Sequence, residues 1–453
     1  MSTSSLVKPG LPIDVPKGRI TTRHIATISL LALGYSGYYF CRSDYSVALP
    51  LILAEQVRHG VAIHEAQIRL GSIASLGVLA YAIGKFPSGA MADIFGGRRN
   101  FLGGMLGSIL FTLLFMLGGG FPLFTLAWIG NRFIQSLGWA GLVKVASRWF
   151  SYSTYGTVMA ILSLSYLFGD AISREIMSVL LAYGLGWRGI FAAGAALLLL
   201  LLMLNVFFLR ESPEACGLPA PTENPLNLFA GNEVSAERKG IAAILKPLVK
   251  SPSFWLICML SLGTTLLRET FNLWTPMYFT QFVGLDNAQA ASSSALFPLC
   301  GGVSVLFAGI LSDYLGPEGR GRILCFGLCL TVVTLIFLAQ VPAHAPRFIP
   351  ILLVAAVAFL LIGPYSYLGG AMSLDFGGKE GSATASGLID GVGYLAGVLS
   401  GNSMAHIAVN FGWPTMFKVL ALVAFISSAV AALSMWHQHQ RNIALALHSR
   451  ETI

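Results

Sequence analysis

Apolar stretches long enough to cross a lipid bilayer recur along the whole chain. A helix needs roughly 20 apolar residues to span the hydrocarbon core. Such stretches lie near 24–53, 68–92, 101–118, 121–147, 155–183, 187–209, 253–282, 290–312, 322–342, 347–372, 383–410 and 413–436. In lipid a helix satisfies its own backbone hydrogen bonds, which an open strand cannot do. The sequence therefore predicts an all-α membrane protein with twelve transmembrane helices in contact with the lipid bilayer.

The composition excludes most classes of soluble protein. Of the 453 residues, 55% are hydrophobic and 11% are charged, whereas a soluble domain carries about 25% charged residues. A soluble enzyme, a nucleic-acid-binding protein and a secreted disulfide scaffold are therefore excluded. No cluster of metal ligands and no pair of nucleophile and base stands out, so we expect no metal, no cofactor and no enzymatic activity.

Polar segments divide the chain into two halves. We expect an N-terminal tail at 1–23, a six-helix bundle at 24–209, a linker at 210–252, a second bundle at 253–436 and a C-terminal tail at 437–453. Basic residues are concentrated in the tails, the linker and alternate loops, and such segments stay on the cytoplasmic side. The net charge of +8 therefore marks topology, with both termini cytoplasmic, and does not indicate a nucleic-acid partner.

The two halves repeat each other. Features that recur in the same order are Arg42 with Pro50 as Arg268 with Pro276, Gly89 with Asp93 as Gly309 with Asp313, Tyr166 with Gly169 as Tyr394 with Gly397, and Gly186-Trp187 as Gly412-Trp413. The first and last of these matches share one offset along the chain. Two parallel six-helix repeats related by an axis along the membrane normal are typical of major facilitator transporters.

Eleven charged residues fall within predicted spans, and a charge inside a membrane marks a pathway or a site by default. They are Arg42, Lys85, Arg132, Lys144, Arg174 and Arg268 against Asp44, Asp170, Glu175, Glu269 and Asp390. Arg42 and Arg268 stand near mid-depth of their helices, and the repeat is expected to bring both to the central axis. Two guanidinium groups at one point suit a phosphate or a carboxylate, which each binds bidentately.

The alternative is that these two arginines are neutralised by acids close in sequence. Arg42 would pair with Asp44, and Arg268 with Glu269. Residues one or two positions apart do not face each other on a helix, so we expect both arginines to be free of these acids.

Aromatic and charged residues at helical spacing extend the predicted site. Tyr35, Tyr39 and Arg42 share one helical face, and so do Tyr81 and Lys85. Asp170 and Arg174 are i, i+4 partners, for which a structural role and a role in switching or coupling both stay open. Asp390 has no local partner, so Lys85 or Arg132 across the bundle is its expected counterion.

Two segments resemble major facilitator signatures. GAMADIFGGRR, residues 89–99, resembles the motif between the second and third helices, which implies a gating role for Gly89, Asp93, Arg98, Arg99 and the repeated Asp313. Arg132-x-x-Gln135 in the fourth helix resembles a second motif of this superfamily.

Four longer segments resemble one branch of the superfamily, the organophosphate:phosphate antiporters. They are GYSGYYFCRSD, QSLGWAGLVK, LLRETFNLWTPMYF and RESPEACGLP. The resemblance implies that Arg42 and Arg268 hold the phosphate. It also implies a pocket lined by Tyr35, Tyr39, Tyr81, Lys85, Trp139 and Tyr394.

The leading functional hypothesis is an exchanger of a phosphorylated metabolite, such as a sugar phosphate or glycerol phosphate, for inorganic phosphate. Two alternatives stay open: a proton-coupled symporter of an organic carboxylate that uses Asp170, Asp390 or Arg132 for coupling, and a transporter-like membrane sensor of sugar phosphate. We expect a monomer in the bacterial inner membrane.

Overall fold

Thirteen α-helices make up most of the part of the chain that the computed structural model describes. That part comprises residues 21–150, 152–219, 248–343, 345–369 and 371–451, without some of the side chains inside the helices. The helices are α1 (Thr22–Tyr38), α2 (Phe40–Arg58), α3 (Ile63–Phe95), α4 (Gly97–Met116), α5 (Phe121–Trp149), α6 (Tyr152–Ala182), α7 (Trp187–Phe208), α8 (Pro252–Tyr278), α9 (Asn287–Gln340), α10 (Phe348–Gly369), α11 (Ala371–Gly397), α12 (Asn402–Phe411) and α13 (Trp413–Glu451).

These helices form the twelve expected spans. Helices α1 and α2 make the first span, and α11 and α12 make the eleventh. Helix α9 supplies two spans, Asn287–Ser312 and Gly319–Gln340. A straight helix of its 54 residues would measure about 80 Å, far more than the roughly 30 Å of a bilayer core. Since one bilayer core cannot contain such a length, the two spans cross the membrane separately, and between them Arg320 Nε donates a hydrogen bond to Ser312 Oγ at 3.0 Å.

Charge separates the spans into two kinds. Seven segments of the described helices are long and apolar enough to cross a membrane, and they lie in α3, α4, α7, α9, α10 and α13. The other five spans carry charges in their middle: Arg42, Arg132, Asp170, Arg268 and Asp390. Since a charge facing lipid is costly, these five helices must turn their charged faces toward the interior of the bundle.

The internal repeat is visible in the helix boundaries and at the centre of the molecule. Helix α7 begins at Trp187 after Gly186, and α13 begins at Trp413 after Gly412. Ser46 Oγ on α2 donates to the backbone oxygen of Asn272 on α8 at 2.8 Å, and these two residues are 226 positions apart. This separation equals the repeat offset, so equivalent positions of the two halves meet at the axis.

The two halves are joined tightly at one end of the bundle. We call the end at which α2, α6 and α8 finish the far face, and the opposite end, where α4 begins, the near face. At the far face a Cβ on Gly401 would collide with the backbone oxygen of Gly71. Helix α3 can therefore approach the start of α12 this closely only because both residues are glycine. Ser72 Oγ lies 3.1 Å from Asn402 Oδ1, and Ser75 Oγ accepts from Asn402 N at 2.9 Å.

Two helix limits differ from the expected spans. Helix α11 begins at Ala371, twelve residues before the expected span at 383–410, and α13 continues to Glu451 through the predicted tail. Hydropathy marks only the part of a helix that lies in lipid, and a helix continues beyond it wherever its backbone bonds can still form. Residues 1–20 and 220–247, which hold most of the predicted N-terminal tail and linker, lie outside the described residues, so the division into domains stays a prediction.

Candidate functional site

A break in the first span stands immediately before Arg42. Helix α1 ends at Tyr38 and α2 begins at Phe40, while Cys41 has non-helical angles of φ −99° and ψ 19°. The Arg42 N–H donates to the Tyr39 carbonyl at 3.2 Å, which is a tightened turn. Irregular backbone at membrane depth is tolerated where it is buried in protein or lines a cavity.

A cavity of about 850 Å³, counting its open part, lies between the two halves. It is lined from both halves by charged, polar and aromatic side chains that include Tyr39, Arg42, Ser43, Ser46, Trp128, Arg132, Tyr166, Asp170, Arg174, Arg268, Glu269, Asn272 and Tyr394. Every charged residue of this lining comes from one of the spans that carry charge in their middle. The cavity is therefore the interior toward which those helices turn their charges.

Arg42 and Arg268 are placed symmetrically in this cavity. Each stands four residues, or about one helical turn, before the contact between Ser46 and Asn272 that marks the axis. Both line the same cavity, so the expectation that the repeat brings them to one level on the axis is met in the structure.

The surroundings of the two arginines differ. The Arg42 Cζ atom lies over the rings of Tyr39 and Tyr81, 5.2 Å and 4.7 Å from their centroids. Arg268 Nη2 contacts Glu269 Oε1 at 2.7 Å and Tyr394 Oη at 3.1 Å, and its Nε has no hydrogen-bond partner among the described residues. Arg268 therefore has a donor available for a further acceptor.

The expectation that Arg268 would be free of Glu269 is wrong. Side chains one position apart leave the helix about 100° apart, but an arginine is long enough to curl back around the helix. Water is scarce between packed helices, so the buried Glu269 carboxylate gains most from the nearest guanidinium. Asp44 behaves as expected: its Oδ1 accepts from Tyr45 N at 2.7 Å, and no ion pair joins it to Arg42 among the described residues.

The predicted binding residues fall into three groups. Tyr39, Arg42, Arg268 and Tyr394 line the cavity. Tyr81 and Lys85 adjoin it through Tyr394, whose ring lies 5.4 Å from the Tyr81 ring and 4.8 Å from Lys85 Nζ. Tyr35 and Trp139 are not part of the cavity lining but adjoin it through Tyr39, with the Tyr35 ring centred 6.1 Å from that of Tyr39 and 5.4 Å from that of Trp139. Tyr35 also lies within electrostatic range of Arg42.

Lys85 is the counterion of Asp390. Lys85 Nζ on α3 lies 3.6 Å from Asp390 Oδ2 on α11, and their side chains are 29% and 35% exposed. The pair joins the first half to the second on the near-face side of the two arginines. Of the two counterions considered from sequence, the structure selects Lys85.

Asp170 and Arg174 form a buried cluster that also joins the halves. Arg174 Nε contacts Asp170 Oδ1 at 2.9 Å, and the two side chains are 3% and 7% exposed. Arg174 also donates to Ser294 Oγ and to the Asn272 backbone oxygen, both at 3.0 Å, while Ser43 Oγ donates to Asp170. The i, i+4 pair is therefore intrahelical, as expected, and in addition holds α8 and α9 of the second half.

Arg132 lines the cavity without an ion pair among the described residues. Its Cζ atom lies 4.9 Å from the centroid of Tyr81 and 5.9 Å from that of Trp128, and the residue is 4% exposed. It therefore lies on aromatic faces deep inside the bundle.

Arg98, from the motif at residues 89–99, and Glu211 hold the start of α4 against the end of α7, and we call this arrangement the clamp. Arg98 donates to the backbone oxygens of Leu209 and Val206 at 2.7 Å and 2.6 Å. The Glu211 carboxylate accepts from the N–H groups of Gly97 and Arg98 at 2.9 Å and 2.7 Å, where the helix dipole favours an anion. Arg99 is exposed. Gly89 lies within α3, and the side chains of Asp93 and Asp313 lie outside the described residues.

Sequence reasoning missed several residues of these assemblies. Asn272 and Ser294 hold Arg174, Tyr365 lies 4.7 Å from the Arg268 Cζ atom, and Glu211 completes the clamp. The offset that relates Arg42 to Arg268 also relates Ser46 to Asn272, so this pair could have been found from the repeat. Glu211 stands in the segment RESPEACGLP, whose resemblance to the antiporters gives no indication of its partner. Ser294 and Tyr365 occupy unremarkable polar positions, and their sequence contains no signal of a partner on another helix.

Comparison with known protein families identifies the superfamily. Residues 31–401 match the Major Facilitator Superfamily. The chain belongs to this superfamily. A solved structure of similar fold is a bacterial homologue of the human lysosomal transporter Spinster, with a TM-score of 0.72, 14% identity and coverage of 92% of this chain and 98% of that chain.

Curated relatives agree with the narrower resemblance. A probable hexose phosphate transport protein of Chlamydia trachomatis is 26% identical over 92% of this chain and 91% of its own. The membrane sensor protein UhpC of Escherichia coli is 27% identical over 90% and 91%, and sugar phosphate exchanger 3 of Bos taurus is 28% identical over 81% and 80%. The resemblance to organophosphate:phosphate antiporters is thereby confirmed.

Proposed function

We propose that this major facilitator protein exchanges a phosphorylated organic metabolite, of the class to which sugar phosphates and glycerol phosphate belong, for inorganic phosphate. The observation that carries the proposal is the pair of guanidinium groups, Arg42 and Arg268, that line one cavity at equivalent positions beside the axis. Two planar forks at one point offer a tetrahedral anion several charge-assisted hydrogen bonds. The names of the hexose phosphate and sugar phosphate relatives support the same class of substrate.

Exchange would proceed by alternate opening of the two faces around this fixed pair. At the far face, the cluster of Asp170 and Arg174 would separate from Asn272 and Ser294. At the near face, the pair of Lys85 and Asp390 would break. The gating motif at the helix ends of this face includes Gly89, Asp93, Arg98, Arg99 and Asp313. Such rocking of two repeats around a central site is the usual mechanism of this architecture. We place the protein as a monomer in the bacterial inner membrane, with the near face and both termini cytoplasmic.

Purified protein in phosphate-loaded liposomes should take up labelled phosphate in exchange for internal phosphate. Arg42→Lys and Arg268→Lys each keep the charge but lose the bidentate fork, so each should lower exchange at least about tenfold. Lys418→Gln removes an exposed cation on α13 and serves as the matched control. Undiminished exchange in either arginine variant would overturn the proposal that both forks hold the anion.

A sensor is the second candidate, because UhpC of Escherichia coli, at 27% identity, is named a membrane sensor protein. A sensor would bind a sugar phosphate without exchanging it. Binding by isothermal calorimetry together with no counterflow of labelled phosphate would favour the sensor, whereas counterflow would favour the exchanger.

A further inference from the structure

The cavity lining carries more cations than acids. It contains four cations, Arg42, Arg132, Arg174 and Arg268, and two acids, Asp170 and Glu269. Arg174 pairs with Asp170 and Arg268 with Glu269. Arg42 and Arg132 form no ion pair among the described residues and contact aromatic faces. Glu269, which is paired with Arg268, lies within electrostatic range of both, so one acid faces three guanidinium groups.

Arg42 and Arg132 share one support, the ring of Tyr81. Their Cζ atoms lie 4.7 Å and 4.9 Å from its centroid. Because both groups lie against the same ring, one small ligand is long enough to contact the two guanidinium groups at once. A cation–π contact compensates only a small part of the cost of burying a cation, so a ligand anion beside each guanidinium is favoured.

Asp44 does not cancel Arg132. It lies within electrostatic range of Arg132, but no ion pair joins the two among the described residues. Its Oδ1 accepts from Tyr45 N, and its Oδ2 is buried with no partner in the part of the chain that the structure describes. Asp44 is also absent from the cavity lining, to which Arg132 belongs. Among the described residues no acid forms an ion pair with Arg132, so its guanidinium can still donate to a ligand in the cavity.

We infer that Arg132 forms a second anion subsite, which makes the preferred substrate a short phosphorylated carboxylic acid. This inference rests on the proposed function, since the phosphate would occupy the Arg42–Arg268 pair. A lone guanidinium offers one planar fork, which matches the two oxygens of a carboxylate. The neutral end of a sugar phosphate or glycerol phosphate would leave that fork without an anion in a site of low dielectric.

A matched pair of ligands isolates the carboxylate. The probes 3-phosphoglycerate and glycerol 3-phosphate share a three-carbon phosphate ester and differ mainly at the end opposite the phosphate. Dissociation constants are measured by isothermal calorimetry on detergent-purified protein. The wild-type protein should bind the carboxylate-bearing probe at least about tenfold more tightly. Arg132→Gln should reduce this ratio at least about tenfold, and Arg132→Lys should retain part of it because the charge remains.

Lys418→Gln removes an exposed cation away from the cavity and should leave the ratio of dissociation constants unchanged. A wild-type ratio near one, or equal weakening of both probes by Arg132→Gln, would overturn the second subsite. Exchange of labelled phosphate in liposomes is measured in parallel. Selective binding without exchange would contradict the proposed function and leave the subsite standing, whereas exchange without selectivity would do the reverse.

Discussion

Glu269 is a buried acid that touches one of the two repeat-related arginines. Its Oε1 lies 2.7 Å from Arg268 Nη2, and the residue is 8% exposed. An acid in an anion cavity competes with the substrate for the same guanidinium. It thereby limits how tightly the anion is held, which matters in a protein that must also release it.

Glu269→Gln should therefore raise the affinity for inorganic phosphate about threefold to tenfold, because Arg268 loses its competing carboxylate. The rate of phosphate exchange in liposomes should fall, since tighter binding slows release. Isothermal calorimetry and counterflow check the two effects. Glu65→Gln, the same change at an exposed position in the first turn of α3, is the control. Weaker phosphate binding in Glu269→Gln would mean that Glu269 positions Arg268 and does not compete with the anion.

The pair of Arg268 and Glu269 also shows what the sequence can predict at this scale. The repeat predicted where Arg42 and Arg268 lie, because equivalent residues of two repeats occupy equivalent places in the fold. Whether Arg268 would reach Glu269 depends on the water and the dielectric around one flexible side chain, which the sequence does not contain. The sequence limited the counterion of Asp390 to two cations, because a charge inside lipid requires a counterion. Only the packing of the helices shows that the counterion is Lys85.

At the scale of helices, apolar length predicted the spans well and their irregularities poorly. The break between Tyr38 and Phe40 lies inside a single apolar run, and α9 is one helical element although it supplies two spans. Hydropathy measures how favourable it is to transfer a segment from water to lipid, and this transfer depends neither on a break in a helix nor on the continuity of α9. The glycine contact of Gly71 and Gly401 was also not predicted, because it depends on how closely two distant segments approach.

The cluster around Arg174 makes a prediction at this scale. Asp170→Asn leaves the Arg174 guanidinium as an uncompensated buried charge, which costs about 3–5 kcal/mol of stability when a buried pair is broken. The midpoint of thermal unfolding in detergent should fall by several degrees. Asp170→Asn combined with Arg174→Met removes both charges and should recover at least half of that loss.

The double variant is the matched comparison, because it shares the Asp170 change and removes only the orphaned cation. An unchanged midpoint in Asp170→Asn, or a still lower midpoint in the double variant, would contradict the role of the pair in neutralising each other. In that case the contacts of Arg174 with Ser294 and Asn272 would carry the stability of the cluster.

At the scale of the whole molecule, the two faces differ in how firmly the halves are joined. The far-face pair of Arg174 and Asp170 has side chains that are 3% and 7% exposed, and close backbone contacts lie nearby at Gly71 and Gly401. The near-face pair of Lys85 and Asp390 is 29% and 35% exposed and longer, at 3.6 Å. The structure therefore represents a state in which the far face is closed and the near face is the looser one.

Alternating access requires the far face to open in turn, which a covalent link should prevent. In a background in which the six native cysteines are replaced, Ser72→Cys and Asn402→Cys place thiols where Ser72 Oγ and Asn402 Oδ1 are 3.1 Å apart. Oxidation to a disulfide should abolish phosphate exchange in liposomes, and reduction should restore it. Each single cysteine variant should exchange equally under both conditions. Full exchange by the oxidised double variant would exclude opening at this face, because the halves cannot separate there while Ser72→Cys and Asn402→Cys are joined.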